Sequence, residues 1–292
     1  MQGPASTRTP GRPAAKVKNL PRRAPELALR RAKAAAQRVY QRPTQVRRSF
    51  IERRGQDEPP PPLARILRGG RGGMVRLKLY LAILWIASGG DHTVTFPARA
   101  WAELLGLDEP ATNGARRVTD AIAWLEAHQL IRASRQRGMP PDLVPLDESG
   151  SGKAYKVPSR TWKDLSAKQE NRASNIYVRL PVGFWTSGWA ATLSAPAVAM
   201  LLVLLAERGP RDEKEFFWFS PGYADERYAL SEDTRTVGVA ELADFDIVTV
   251  KRMPVSEDFG WTRVRNTYRL NLKRLDTPPI PSLRPAPRRR RP

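Results

Sequence analysis

One order of segments occurs twice between residues 74 and 275, and this repeat limits the fold more than any other feature of the chain. Each copy opens with a long apolar segment, "LYLAILWIA" in the first and "APAVAMLLVLLA" in the second. A short β-prone run, two helical segments and a pair of strands follow. Apolar positions of the two copies also align, namely Ile122, Leu125, Leu130 and Ile131 with Val239, Leu242, Ile247 and Val248. The repeat predicts two similar α+β domains that are mainly helical.

The first copy is predicted to contain three helices and a two-stranded ribbon. We expect helices from Met74 to Ser88, from Pro97 to Leu105, and from a cap at Thr112 onward, with a β run at "HTVTF" between the first two. The strand "LIRAS" and a returning strand "KAYKV" would form the ribbon across a loop of Gly, Pro and Ser. This order of elements is that of a winged helix-turn-helix.

The second copy is predicted to follow the same order. Ser194 and Ser231 are the expected caps of its first and third helices. Between them lie the β run "EFFWFS" and the helical segment "PGYADERYAL", and the ribbon is formed by "IVTVKRM" and "WTRVRNTYRLNL". Ahead of this copy, Ile176, Val178 and Leu180 alternate with polar residues and predict a strand that leads into it.

Charge separates the ends of the chain from its middle. The formal net charge is +21, which points to a polyanionic partner. Residues 1–72 hold 18 Lys and Arg against 4 Asp and Glu, and residues 276–292 hold 5 Arg against 1 Asp. We therefore expect a basic, largely disordered arm and linker at 1–72, domains at 73–165 and 175–275, and a basic disordered tail at 276–292. Within the arm, residues 25–41 are predicted to form a basic helix.

The third helix of the first copy carries the residues that best fit DNA. At about 100° per residue, Val118, Ala121, Ile122 and Leu125 share one apolar face, and Asp120 and Ala123 lie opposite with Asn113 and Arg116. Asn and Arg pair with purine edges, and flanking groups such as Arg117 and Thr119 hold phosphates. The adjoining ribbon adds further cations, which are Arg132, Arg135, Arg137, Lys153 and Lys156.

The second copy differs at the same place. The wheel predicts that Asp233, Val237, Ala240 and Glu241 face outward, and such a face repels phosphate. Its ribbon is basic, however, with Lys251, Arg252, Arg263 and Arg265. We expect this domain to contact the DNA backbone mainly through the ribbon, while its third helix faces a partner or a second copy.

On these segments, the body resembles the tandem winged-helix replication initiator proteins of plasmids, over about two thirds of the chain. Segments such as "WAELLGLDEPATNGARRV" and "LSEDTRTVGVAELADFDIV" are similar to winged-helix proteins of actinobacterial chromosomes and mobile elements. The resemblance implies DNA contacts from the third helices, at Asn113, Arg116, Arg117 and Thr119, and also at Thr234 and Arg235. It implies a homodimer as well.

Enzyme chemistry finds little support in the sequence. The absence of cysteine excludes zinc fingers and disulfides, and His92 and His128 lack metal-ligand spacing. "ESGSGKAY" has neither the Ser or Thr nor the earlier Gly of a phosphate loop, so it reads as an ordinary loop. Asp142, Asp147 and Glu148 are expected in a solvated loop rather than at a nuclease metal. We expect no enzyme, no cofactor, no metal and no small-molecule substrate.

The leading hypothesis is a sequence-specific binder of double-stranded DNA, acting as a plasmid or mobile-element replication initiator. Transcriptional regulation is the alternative within that class, and an RNA-binding or ribosome-associated protein is the alternative outside it. No apolar run reaches the 18 residues or so of a membrane span, and we expect a cytoplasmic protein associated with the nucleoid or a plasmid.

Overall fold

The computed structural model describes residues 24–53, 55, 57–68, 70, 72–164, 175–258 and 261–280. It is an α+β structure with about 49% helix and 15% strand in small sheets, which confirms the expected class. The helices are α1 (Glu26–Arg38), α2 (Arg48–Ile51), α3 (Pro62–Arg68), α4 (Gly73–Ile86), α5 (Ala98–Leu104), α6 (Asn113–Ala127), α7 (Pro158–Asp164), α8 (Gly183–Thr186), α9 (Trp189–Thr192), α10 (Ala195–Arg208), α11 (Pro221–Tyr228) and α12 (Glu232–Asp244). The strands are β1 (Thr44–Arg47), β2 (Val94–Thr95), β3 (Ile131–Ser134), β4 (Asp142–Pro145), β5 (Tyr177–Leu180), β6 (Val248–Asp258) and β7 (Trp261–Leu270).

The first unit, residues 73–145, consists of α4, β2, α5, α6 and the β3–β4 ribbon. Its three strands form an antiparallel sheet in the order β2-β4-β3, with Leu143 opposite both Val94 and Ala133. The predicted returning strand at 153–157 is wrong, because β4 begins much earlier, at Asp142. Gly138 has a positive φ and turns the chain back at once, and the alternation of β4 then buries Leu143 completely. Farther along, only an isolated bridge joins Leu146 to Ala154.

The second unit, residues 195–270, repeats the order with α10, α11, α12 and the long β6–β7 ribbon. The hydroxyl of Ser194 accepts from Ala197 N at 3.3 Å, and that of Ser231 accepts from Thr234 N at 3.2 Å, so both predicted caps are confirmed. Thr112 is the N-cap residue of α6, as predicted, but its side chain makes no capping hydrogen bond. The run at 215–220 contributes one bridge, Phe217 to Tyr268.

Residues 24–53 and 57–68 belong to the folded body, so the prediction of a largely disordered arm is wrong for them. The basic helix expected at 25–41 is present as α1, which buries a face of small residues, Ala28, Ala32, Ala35 and Ala36. Small side chains allow close approach: a Cβ on Gly188 would lie 2.5 Å from the Cβ of Ala24. Charge averages could not reveal this alanine face. The predicted disordered residues 1–23 and 281–292 lie outside the described residues.

The strand β1 pairs antiparallel with β5, and this small sheet joins the N-terminal segment to the start of the second unit. Trp85 of α4 and Trp185 of α8 stack beneath it with ring centroids 4.8 Å apart. Their indole nitrogens donate to Arg42 O at 3.0 Å and to Thr44 Oγ1 at 2.8 Å. The two units and the N-terminal segment therefore share one core. Within the described residues, no helix has the length and apolarity needed to cross a membrane.

Candidate nucleic-acid interface

Gly114, at the start of α6, allows this helix to pack closely against α5 and the turn before it. A Cβ on Gly114 would lie 2.9 Å from Asp108 O and 3.2 Å from the Cβ of Ala102, so a larger residue would push α6 away. The apolar side chains Val118 and Leu125 are fully buried on the inner face. Their burial confirms the predicted helical wheel and fixes which face of α6 points to solvent.

The outward face of α6 presents polar side chains that have no partner among the described residues. Asn113 and Arg116 are exposed, and neither side chain hydrogen-bonds or pairs with any described residue. Thr119 is exposed too, with its hydroxyl donating back to Ala115 O at 3.1 Å. Arg117 lies half-buried on the flank, close enough that its charge helps to lower the pKa of Lys78. The face therefore combines two exposed polar side chains without a partner among the described residues with a cation at its edge.

The β3–β4 ribbon extends the cationic surface, and its three arginines make different contacts. Arg132 on β3 and Arg137 in the following loop are exposed and make no hydrogen bond or ion pair in the described structure. Arg135 donates instead to Glu126 of α6 at 2.7 Å, and this hydrogen bond lowers the pKa of that carboxyl. Arg135 thus fixes the ribbon to the helix, while the other two remain available to a ligand.

Lys153 and Lys156 do not lie on the ribbon. Because β4 ends at Pro145, both lysines follow it in an irregular segment, where they are exposed and line a separate cleft. The sequence placed them on a wing only because the returning strand was assigned to 153–157.

In the second unit, the residues predicted to read DNA on α12 are engaged within the protein. The guanidinium of Arg235 pairs with Asp225 and donates to Leu230 O at 2.9 Å, and only 12% of its side chain is exposed. The Thr234 hydroxyl lies 2.8 Å from that of Ser231. These contacts connect α12 to α11, so the helix offers no free cation at its first turn comparable to Arg116.

The prediction that Glu241 faces outward is wrong. Its carboxylate is buried and accepts from the Ser194 backbone N at 2.8 Å and from the Ser194 hydroxyl. Gly238 lets α12 approach α10 so closely that a Cβ there would lie 2.7 Å from Met200 Cγ. This close packing rotates the acidic side chain inward, and Lys78 of the first unit is its charged neighbour. Burial lowers the pKa of Lys78 to about 8, although Glu241 raises it.

The β6–β7 ribbon carries the free cations of the second unit. Lys251 and Arg252 are exposed and Arg265 is half-exposed, whereas the side chain of Arg263 lies outside the described part. Sequence reasoning missed Arg269, whose guanidinium lies 4.9 Å from the centroid of the Phe216 ring. The ammonium nitrogen of Lys251, which the sequence did predict, lies 5.2 Å from the centroid of the same ring. The period-two alternation that places 265, 267 and 269 on one face was the signal for this residue.

A buried polar cluster behind the first unit was also missed. Glu148, expected in a solvated loop, is fully buried and pairs with Arg47 of β1. Arg47 further donates to Asn175 Oδ1 at 3.2 Å, Lys156 O at 2.7 Å and Thr161 Oγ1 at 3.3 Å. Burial raises the pKa of Glu148 to about 7, although the neighbouring guanidinium lowers it. Nothing in the local sequence marks this pair, since its members are 101 residues apart.

Groups that would support metal chemistry are not assembled in the described part of the chain. No three His, Asp or Glu side chains there lie close enough to hold a metal ion. His92 contacts Ala87 O at 2.7 Å, and His128 contacts Trp124 O at 2.8 Å and stacks on the Trp124 ring. Comparison of the whole chain with protein-family models, curated proteins and solved structures finds no match.

Proposed function

We propose that the chain is a sequence-specific double-stranded DNA-binding protein built from two winged-helix units. The observation that carries the proposal is the outer face of α6, where Asn113 and Arg116 are exposed and free of protein partners. A helix of this kind enters the major groove, and the flanking ribbon follows the backbone. Arg132 and Arg137 lie on that ribbon and would contact phosphates.

The second unit has a different role in the proposal. Because Arg235 is tied to Asp225 and Glu241 is buried, α12 offers few groups for reading bases. The exposed cations of β6–β7, Lys251 and Arg252, would hold backbone phosphates instead. One unit would thus supply sequence preference and the other affinity.

We further propose that the protein acts as a replication initiator of a plasmid or mobile element. Because the first unit alone reads bases in this proposal, each of the repeated sites that an origin offers would bind one copy of the protein. Sequencing genomic fragments that the protein selects tests this role. Iterated repeats beside an origin support initiation, whereas scattered promoter sites would indicate a transcriptional regulator.

The direct test compares Arg116→Ala with wild type on a selected duplex and on a scrambled duplex by fluorescence anisotropy. If Arg116 pairs with a guanine, the substitution costs about 1–3 kcal/mol on the selected site and little on the scrambled one. Lys273→Ala is the matched control, since it removes an exposed cation of the 3-10 turn at Leu272–Asp276. Equal losses from both variants, or tighter binding to RNA than to duplex DNA, would refute the proposal.

A further inference from the structure

A polar cleft of about 870 Å³ lies away from α6, between the N-terminal segment and the loop that follows β4. One wall is formed by β1, α2, α3 and the prolines at 59–62, and the other by residues 147–156. No residue of α6, β3, β6 or β7 lines it in the described structure. Clefts of roughly 300–1,000 Å³ are the usual size for small-molecule sites.

Three cations in this cleft lack a carboxylate partner. Lys153 and Lys156 are exposed, and their ammonium groups make no ion pair with a described residue. Arg65 of α3 faces them with a buried Nε that has no acceptor, and its Nη2 reaches Ser149 O only at 3.5 Å. A buried donor without a partner is costly, so an acceptor supplied by a ligand would stabilise this guanidinium.

The acidic residues of the cleft are largely committed to other groups. Glu52 accepts two hydrogen bonds from Arg227, at 2.8 and 2.9 Å, and pairs with Arg48 at 2.9 Å. One oxygen of Asp147 accepts from the backbone N and the hydroxyl of Ser149. With the exposed Glu58, three carboxylates line the cleft against five cations, so the net charge of the described lining is positive and favours an anion. The cations are Arg47, Arg53, Arg65, Lys153 and Lys156.

The loop at 147–153 adds backbone donors to these cations. Gly150 and Gly152 have φ values of +76° and +73°, a conformation that glycine adopts at no steric cost. The N–H groups of Ser151, Gly152 and Lys153 donate to no atom of the described structure. Because Ser151 and Lys153 line the cleft, backbone donors of this kind beside a lysine would favour an anion there. The spacing differs from that of a phosphate loop, so the site stands on this geometry alone.

We propose that this cleft binds the phosphate groups of a small phosphorylated molecule, held by Arg65, Lys153 and Lys156. Arg65 would form a charge-assisted, forked contact with phosphate oxygens, and the two lysines would supply point charges. The prolines at 59–62 give the ligand a rigid apolar wall for its remaining atoms. The inference is independent of the DNA-binding proposal, because the cleft and the α6 face share no residue.

Titration calorimetry of the full chain with inorganic pyrophosphate, adenosine diphosphate and adenosine tests the proposal. We expect both phosphate compounds to bind and adenosine not to bind. The double variant Lys153→Gln/Lys156→Gln should weaken pyrophosphate binding by about 10- to 100-fold, since charged hydrogen bonds are lost. Arg65→Lys, which keeps the charge and loses the fork, should also weaken binding.

Lys33→Gln/Lys273→Gln is the control, because it removes the same charge from two exposed lysines outside the cleft and outside the proposed DNA-contacting ribbons. The affinity of this variant for pyrophosphate should stay within about threefold of the wild-type value, because distant exposed charges are screened by salt. Equal weakening by both double variants would overturn the cleft as the site. So would binding of adenosine as tight as that of the diphosphate, or no binding of either phosphate compound. If instead only duplex DNA responds to Lys153→Gln/Lys156→Gln, the cleft holds backbone phosphate and the small-ligand proposal fails.

Discussion

Replacing Arg47 by Met is the most informative perturbation of the fold, because it leaves the carboxylate of Glu148 buried without its partner. Breaking a buried ion pair in this way costs about 3–5 kcal/mol when the remaining group is charged. Asn175, Lys156 and Thr161 would each lose a hydrogen bond from the guanidinium, at about 0.5–1.5 kcal/mol apiece. We therefore expect Arg47→Met to lower the free energy of unfolding at pH 8 by up to roughly 4.5–9.5 kcal/mol, and by less to the extent that Glu148 takes up a proton.

The loss of stability caused by Arg47→Met should depend on pH, and the pKa of Glu148 determines whether it grows or shrinks as pH rises. Burial raises that pKa to about 7 in the folded protein, above the value of about 4.5 for an unburied carboxyl. The folded state therefore binds the extra proton between these values, so this group's contribution to stability falls as pH rises from about 4.5 to 7. Arg47→Met removes the charge that lowers the pKa, and the pKa rises further. At pH 5 the carboxyl of Glu148 is protonated in both proteins, and only the loss of the hydrogen bonds that Arg47 donates to other residues remains.

Urea unfolding at pH 5 and pH 8, followed by tryptophan fluorescence, measures the two losses. Arg47→Met/Glu148→Gln should restore part of the stability at pH 8 and remove the difference between the two pH values. The control is Arg48→Met, because Glu52 then keeps its two hydrogen bonds from Arg227. The Arg48–Glu52 pair is largely buried, but because Glu52 stays paired with Arg227, the variant loses only the contacts of Arg48, at about 0.5–1.5 kcal/mol per hydrogen bond. An equal loss for Arg47→Met at both pH values would refute the assignment of a buried, unpartnered carboxylate.

Two further substitutions probe how helices are held together. Gly238→Ala places a Cβ 2.7 Å from Met200 Cγ, so α12 must move away from α10. We expect the free energy of unfolding, measured by thermal unfolding, to fall by about 1–3 kcal/mol. Gly222→Ala is the control, because a Cβ at that position meets no atom within 4 Å. Glu103→Gln weakens the contact of α5 with Arg31, which donates to it at 2.7 Å, so α1 should become more accessible to limited proteolysis. Unchanged cleavage within α1 would contradict this contribution.

Local periodicity was sufficient to predict the helices that form the candidate interface. The buried face of α6, with Val118 and Leu125 inside and Arg116 outside, follows from the 3.6-residue period alone. The two serine caps were equally readable, because a hydroxyl before a helix has a defined acceptor role. Helix faces and helix caps depend on residues three or four positions away, so they can be predicted from the local sequence.

Long-range contacts account for what the sequence could not predict. The burial of Glu241 depends on the absence of a side chain at Gly238 and on Ser194 in another helix. The folded state of residues 24–53 and 57–68 depends on a strand partner and a glycine in the second half of the chain. Average charge and proline content describe a segment in isolation, so they do not predict which distant residues it contacts in the folded protein.

The antiparallel pairing of β1 with β5 sets an order on synthesis of the chain. Thr44 of β1 receives a hydrogen bond from an indole 141 residues later, and its whole ladder lies in the same distant region. At about 5–20 residues per second, a ribosome needs some 7–28 seconds to supply that partner. During this interval β1 has no strand partner, and an unpaired strand edge is a site where chains associate wrongly. The β1–β5 sheet therefore closes late, although β1 is made well before its partner.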